Sequence, residues 1–332
     1  MRCLILGYGY MGRTRHQLLK GHSAVKAIGI FDPYIDPKKE NIQQEYLNSP
    51  DIPWDAFDAV FVCTPNHVTA QYVIEGLKHC GNVFCEKPPG RNWEELCGID
   101  EAASARPDHT LVFGFNHRLH PSVQTAKAFI GKGGLGEVLY MKGSYGKSGG
   151  SKYRESWRNH RATSGGGILL DQGIHMLDIF QFFLGPLQVV DAVLADLFWK
   201  CDVEDNAYVL LKSEKGQPAF LHSSATLWKH TFHFEIGCQD GYLTASGLLT
   251  KSGSYGREKL VIGRRQFEEE AFALGNPREE IIYFDRDESW QKEIDEFLQA
   301  VQEKRQATYG TLTEAKQVMA LIRDVYQRTQ RG

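Results

Sequence analysis

What the sequence lacks narrows the possibilities first. No apolar run is long enough to span a bilayer, and the N-terminal "CLILGYGYMG" is short, broken by glycines and followed by "RTRH". It fits neither a membrane helix nor a signal peptide, so a cytoplasmic protein with no membrane association is expected. Cysteines are sparse: Cys3, Cys63, Cys80, Cys85, Cys97, Cys201 and Cys238 are odd in number and form no C-x-x-C pair. That argues for reduced, mostly buried thiols. Charge of one sign is also missing, since 38 Lys and Arg stand against 41 Asp and Glu, a net charge of -3. A balance this even offers no electrostatic reason to expect nucleic acid. Internal repeats and low-complexity segments are absent as well. What is present is 332 residues, 42% of them hydrophobic, enough for two domains that each bury a core.

The first third reads as alternating strands and helices. The short strand "RCLIL" (2–6) runs into "GYGYMG", which sets Gly7, Gly9 and Gly12 in G-x-G-x-x-G spacing ahead of the helical "RTRHQLLKG". Such a turn lets the backbone approach a pyrophosphate, which the helix N-terminus then holds. A second strand, "VKAIGIF", ends at Asp32, twenty residues beyond Gly12, where this fold places an acid on the adenosine ribose hydroxyls. Pro33, Tyr34 and Ile35 follow, so no basic side chain stands ready for a 2'-phosphate, and NAD is favoured over NADP. "AVFVCTP", "NVFCEKPP" and "TLVFGFN" continue as strands, with helices "HVTAQYVIEGLKHC" and "NWEELCGIDEAASAR" between them. A doubly wound parallel sheet follows, with "TPNH" (64–67), "EKPP" (86–89) and "FNHR" (115–118) at its carboxyl edge, where ligands bind. Lys87, locked between Glu86 and Pro88 at that edge, is a functional candidate.

Beyond about residue 120 the pattern changes to consecutive strands: "GEVLYMKGSYG", "LQVVDAVLADLFW", "DNAYVLLKSE", "PAFLHSSATLW", "TFHFEIGC", "GYLTASGLL", "EKLVIG" and "EIIYF". These predict a large, mostly antiparallel sheet, one face covered by helices and the other by a second subunit. The boundary falls at 1–118 and 119–332. "SWQKEIDEFLQAVQEKR" and "TLTEAKQVMALIRDVYQR" are amphipathic packing helices.

Residues 164–178, "SGGGILLDQGIHMLD", continue into "IFQFFLG" and predict a helix buried nearly all round. Asp171, His175 and Asp178 stand at i, i+4 and i+7 on it, a polar stripe in an apolar helix. Burying such groups without partners is costly, so the stripe must face a ligand, a partner charge or a metal. D-x-x-x-H-x-x-D could supply metal ligands, but no further cluster completes a site, and no metal is expected.

With the glycine fingerprint, "TPN", "EKP" and "GGGILLDQGIH" in this order, the chain resembles the glucose-fructose oxidoreductase / inositol dehydrogenase / MocA family over essentially its whole length. The resemblance implies a Rossmann domain followed by a domain with an open-faced sheet, oxidising alcohols or reducing ketones of sugars and cyclitols with NAD(P). It implies that Lys87, Asp171 and His175 are catalytic. Gly7, Gly9, Tyr10, Met11, Gly12, Asp32, Thr64, Pro65, Asn66, Glu86, Lys87 and Asn116 would then line the cofactor, and Arg118 would lie near the substrate. It also implies a cis bond between Lys87 and Pro88 and glycines at 165–167 that allow close approach of the nicotinamide. Many relatives carry histidine where Thr69 stands, a departure that bears on local packing. In this frame His175 takes the hydroxyl proton, Asp171 contacts the hydroxyl or tunes the site, Lys87 stabilises the alkoxide, and Asp178 is a structural carboxylate.

The segment "SKYRESWRNHRATS" (151–164) sets Lys152, Arg154, Arg158 and Arg161 against Glu155, with Tyr153, Trp157 and His160 interleaved. Arginine forks suit phosphate or carboxylate, so Arg154, Trp157 and above all Arg158 are expected to bind an anionic sugar derivative: a nucleotide sugar, a sugar phosphate or a uronate. Two rival functions remain: an NAD-dependent glycosidase with transient oxidation, and a non-catalytic dinucleotide sensor. A homodimer or homotetramer through the open sheet face is expected.

Overall fold

In the computed structural model every residue is described except 270, 271, 274 and 330–332. The chain forms two units. The first comprises Met1–Phe115, Ala162–Gly165 and Trp290–Met319, and the second comprises Asn116–Arg161, Gly166–Ser289 and the chain from Ala320 on. The single cut expected after residue 118 therefore gives way to an interrupted division. Asn116 and Arg118 fall in the second unit, and a later helix returns to the first.

The first unit alternates β1 (Arg2–Leu6), α1 (Tyr10–Lys20), β2 (Ala27–Phe31), β3 (Ala59–Val62), α2 (Asn66–His79), β4 (Asn82–Cys85), α3 (Trp93–Ser104) and β5 (Thr110–Phe113). All five strands run parallel in the order β2-β1-β3-β4-β5. Both faces of the central strands are covered, which explains why β3 is an unbroken apolar run, Ala59 to Val62, with every residue buried. Strand order reverses at β1, so the crevice at the carboxyl ends of β1 and β3 is the topological switch point, and the turns after Leu6 and Val62 border it.

The second unit opens with α4 (Pro121–Gly131), a helix with proline in its first turn that the sequence reading had not picked out. Next come β6 (Val138–Gly146) and α6 (Ile174–Leu184); of the single turn α5 (Arg161–Ser164) between them in sequence, the residues from Ala162 on belong to the first unit. Then follow β7 (Leu187–Ala195), β8 (Asn206–Ser213), β9 (Pro218–Ser224), β10 (Thr231–Cys238), β11 (Gly241–Ser246) and β12 (Glu258–Arg264). A short hairpin, β13 (Phe267–Glu269) and β14 (Phe272–Ala273), precedes β15 (Glu279–Phe284). Eight strands make one sheet in the order β15-β12-β11-β10-β6-β9-β8-β7, antiparallel throughout except where β6 meets β9. Helices α4 and α6 cover one face. On the strands Leu139, Val193, Leu210, Phe220, Ile281 and Tyr283 stay exposed.

Two helices end the chain, α7 (Ser289–Glu303) and α8 (Leu312–Thr329). Ile294, Phe297 and Leu298 of α7 are fully buried in the core of the parallel sheet, where the Phe297 ring meets Phe61 and Phe84 edge-on at 5.3 and 5.7 Å. The amphipathic pattern predicted this helix. Its partners were invisible locally, because nothing near residue 297 specifies the strands that carry Phe61 and Phe84.

Candidate functional site

The glycine turn is built as a phosphate cradle. A side chain at Gly12 would put its Cβ 2.1 Å from the Gly7 carbonyl oxygen, so only glycine lets α1 seat against the end of β1. At Gly9 a Cβ would meet nothing within 4 Å, leaving open space above the N-terminus of α1. Open space, unpaired helix N–H groups and the positive end of the dipole together fit a pyrophosphate. Tyr10 is exposed and Met11 half-buried beside that space. Asp32, just past the end of β2, is held by two backbone amides: the Tyr8 N–H donates to Oδ2 at 2.7 Å and the Tyr34 N–H to Oδ1 at 2.9 Å. A carboxylate fixed this way at the sheet edge suits a ribose diol. These residues fit a dinucleotide.

Other residues of the same edge are engaged within the first unit. Thr64 shares a hydroxyl bond of 3.1 Å with Thr69, whose hydroxyl also reaches the Pro65 carbonyl, so Thr69 does supply local packing. Asn66 donates to the Ser164 carbonyl at 2.7 Å. The Glu86 carboxylate, expected beside the cofactor, is instead taken up by Arg15. The Arg15 Nε lies 2.8 Å from Glu86, its Nη2 2.6 Å from Glu293, and the guanidinium is wholly buried over the Phe84 ring. Burial opposes the charge on Arg15, but two carboxylates outweigh it and hold the group protonated. Glu86 thereby anchors the turn that carries Lys87, and the Lys87–Pro88 bond is cis, as the resemblance implied.

In the second unit the expected polar stripe comes apart. Residues Leu169–Gly173 form a π turn, closed by an Ile174 N–H bond to the Leu169 carbonyl, and only then does α6 begin. The wider turn removes Asp171 from α-helical spacing with His175, so each of the three polar groups finds its own partners. Asp178 is fully buried and accepts two bonds from Arg118, at 2.7 and 2.6 Å. Asp178 thus has a buried counterion, and two nitrogens of the Arg118 fork are engaged on α6. Asp171 pairs with Lys147 at 2.8 Å and with Arg158 at 3.5 Å. His175 is 4% exposed and lies flat against the ring of His117, centroids 3.7 Å apart and planes 23° from parallel.

Arg158 is exposed and lies over the Trp157 ring, so the basic segment does bring one cation to Asp171, while Arg154 remains exposed nearby in sequence. Asn116, expected at the cofactor, is 2% exposed and bonded to Ser289 and His117. The glycines of 165–167 serve protein packing: a Cβ at Gly166 would lie 2.0 Å from the Tyr326 hydroxyl, and one at Gly167 2.0 Å from the Glu204 carbonyl. Packing within the second unit by itself requires those two glycines.

Sequence reasoning passed over Lys147, His117, Tyr145 and Tyr255. The period-two alternation of β6 buries Met141, Gly143 and Tyr145, and counting two further would have placed Lys147 on the same side. No such periodicity marks His117, whose partners come from distant segments.

Both domains match family models, residues 1–113 as an oxidoreductase family with an NAD-binding Rossmann fold and residues 123–244 as a GFO/IDH/MocA C-terminal domain. Levoglucosan dehydrogenase of Pseudarthrobacter phenanthrenivorans is 30% identical over 151 residues, 45% of this chain and 37% of that protein. The 2,7-anhydro-N-acetylneuraminate hydratase of Mediterraneibacter gnavus is 29% identical over 191 residues, 55% of this chain and 49% of its own. The matches thus span about a third to a half of those relatives. The structure of levoglucosan dehydrogenase with NADH superposes with a TM-score of 0.83 at 18% identity, covering 100% of this chain and 97% of the other, a likeness of fold. A glycine cradle with a fixed Asp32, the E-K-P turn and two consecutive family domains lead to one conclusion: this chain belongs to the Gfo/Idh/MocA family of oxidoreductases.

Proposed function

We propose that the protein is an NAD-dependent dehydrogenase or reductase that interconverts a secondary alcohol and a ketone on an anionic sugar derivative: a nucleotide sugar, a sugar phosphate or a uronate. One observation carries the reading: the apolar segment 168–180 keeps Asp171 under two cations and His175 against a ring, polar groups for which a packing helix has no use. Gly7, Gly9, Tyr10, Met11 and Gly12 would hold the pyrophosphate, and Asp32 the ribose hydroxyls. The nicotinamide supplies a hydride acceptor or donor. His175 takes the proton of the substrate hydroxyl as the carbinol is oxidised and returns it in reduction. Lys87 stabilises the alkoxide that develops between loss of the proton to His175 and departure of the hydride from the same carbon.

Two cations, Lys147 and Arg158, against the one carboxylate of Asp171 leave a positive charge in excess, which supports an anionic substrate. The assay follows NADH absorbance with matched neutral and phosphorylated sugars and uronates at two salt concentrations. His175→Ala should lower turnover roughly a hundredfold or more without changing NAD affinity. Near-normal turnover across pH removes His175 from the chemistry. Preference for the neutral sugar, untouched by salt or by Arg158→Ala, removes the anionic substrate.

Likeness to a hydratase, a reaction with no net redox change, favours a second reading, an NAD-dependent glycosidase with transient oxidation. Cleavage of a glycoside without accumulation of NADH distinguishes it. A dinucleotide sensor has no need of Lys87, Asp171 and His175 together. The exposed sheet face fits a homodimer or homotetramer, measurable by light scattering, and a cytoplasmic location belongs to the same reading.

A further inference from the structure

His117 stands between Asn116 and Arg118 in a 3-10 turn, and it is 5% exposed. Its Nδ1 lies 3.0 Å from Asn116 Oδ1 and its Nε2 3.0 Å from the Tyr145 hydroxyl. From Asn116 the bonds continue: its amide nitrogen donates to Ser289 Oγ at 3.1 Å, Ser289 Oγ lies 3.5 Å from His120 Nε2, and His120 Nδ1 is 2.9 Å from Glu258. Glu258 also accepts the Ser122 N–H at 2.9 Å, and it is fully buried. On the other side Tyr145 is hydrogen-bonded to Tyr255, which accepts from Gln172 at 3.0 Å.

A carboxylate and an amide oxygen can only accept, and that fixes two links: His120 Nδ1 donates to Glu258, and His117 Nδ1 donates to Asn116 Oδ1. Ser289 Oγ lies within reach of His120 Nε2 on the far side of that ring. The Ser289 oxygen accepts from the Asn116 amide, whose carbonyl accepts from His117 Nδ1–H. His117 Nε2 is left as an acceptor for the Tyr145 hydroxyl, which burial keeps protonated. Burial works against the charge of Glu258, but the bonds from His120 and Ser122 hold it below the usual carboxylate range, so the terminal acceptor stays ionised. The Asn116 carbonyl therefore places a proton on Nδ1, and the neutral ring then offers Nε2 as acceptor to the Tyr145 hydroxyl.

We infer that His117 is the positioning residue of His175. The inference rests on the reading of His175 as the proton-transfer group. A neutral ring clamped by its two nitrogens presents a fixed face, 3.7 Å away, that sets the plane of the His175 ring. The same face favours the imidazolium that forms when His175 accepts a proton, as an aromatic face favours any cation laid over it. A protonated His117 would do the reverse. The charged and titratable groups around the pair have partners of their own: Asp171 has Lys147 and Arg158, Asp178 has Arg118, and Glu258 accepts from His120 and Ser122, while Tyr145 and Tyr255 stay neutral.

The test uses the NAD-bound full chain and 15N NMR of the histidine rings between about pH 5 and 9, which requires no known substrate. His117 should remain neutral and Nδ1-protonated while His175 titrates. Protonation of His117 ahead of His175 overturns the inference. With a substrate in hand, His117→Ala should lower kcat about tenfold to a hundredfold with KM and NAD affinity within twofold, as expected of a misplaced reacting group. An unchanged kcat overturns it. Should that variant fail to fold, Tyr145→Phe and Ser289→Ala keep volume and cut one link each. Each should change the His117 ring shifts and move the His175 titration, and no movement in either also overturns the inference. Failure of the broader reading looks different: His175→Ala would keep turnover, while in the parent the NMR coupling of the two rings is seen as expected.

Discussion

Arg118 and Asp178 face each other as a two-pronged ion pair, Nε to Oδ2 at 2.7 Å and Nη2 to Oδ1 at 2.6 Å, with both side chains almost fully buried. The fork is further seated over the Phe182 ring, 5.1 Å from its centroid. Buried pairs of this kind add little against an apolar replacement but are costly to break, because the survivor keeps its charge and loses its counterion. Asp178→Ala should therefore cost about 3–5 kcal/mol in urea unfolding, while Arg118→Met with Asp178→Leu should recover most of it. A single variant within about 1 kcal/mol of the parent would show that water already reaches the pair.

Arg15 makes the parallel case in the first unit, between Glu86 and Glu293. Arg15→Met strands two buried carboxylates, and about 3–5 kcal/mol of stability should go with it. Because Glu86 precedes Lys87, the same variant should lower kcat more than it raises KM. Thermal unfolding and steady-state kinetics together check both halves of the prediction.

With Asp32 on the adenosine ribose, as proposed, a 2'-phosphate would clash in charge with its carboxylate. Asp32→Ala should weaken NADH binding by roughly tenfold or more, the worth of hydrogen bonds to a charged group, and narrow the preference over NADPH. Fluorescence titration with both cofactors measures the ratio, and an unchanged ratio removes Asp32 from the ribose.

Glu258 ties acid stability to the relay. Its carboxyl is held below the ordinary value by His120 and Ser122 despite burial. A depressed folded value means the contribution is complete above the unfolded value, about 4.3, and is lost as pH falls through the lower folded one. The stability gap between the parent and Glu258→Gln should thus be constant near neutrality and close on acidification below about pH 4. Denaturant midpoints measured down to about pH 2.5 give that gap directly.

The order of elements was legible from residues 2–113 because each needs only its own periodicity. β3 reads as a buried strand from four consecutive apolar residues, and Gly7, Gly9 and Gly12 declare their turn by spacing alone. Asp32 was legible for the same reason, since its distance from the glycines is a property of one βαβ unit. Strands β6 to β12 and β15 followed from alternation, and the family motifs marked Lys87, Asp171 and His175 without revealing what holds them.

Pairing of side chains from distant segments is what the tertiary structure alone decided. Arg15 reaches Glu293 across 278 residues, His120 reaches Glu258 across 138, and Arg118 reaches Asp178 across 60. A charge in a sequence looks the same whether it will meet water, a ligand or a counterion. Only the fold determines which groups lose their water together, and the cost of losing it unpaired makes the choice of partner obligatory. For that reason the stripe of Asp171, His175 and Asp178 was visible as an anomaly, but its division waited on the π turn at Leu169–Gly173 and on Lys147, His117 and Arg118.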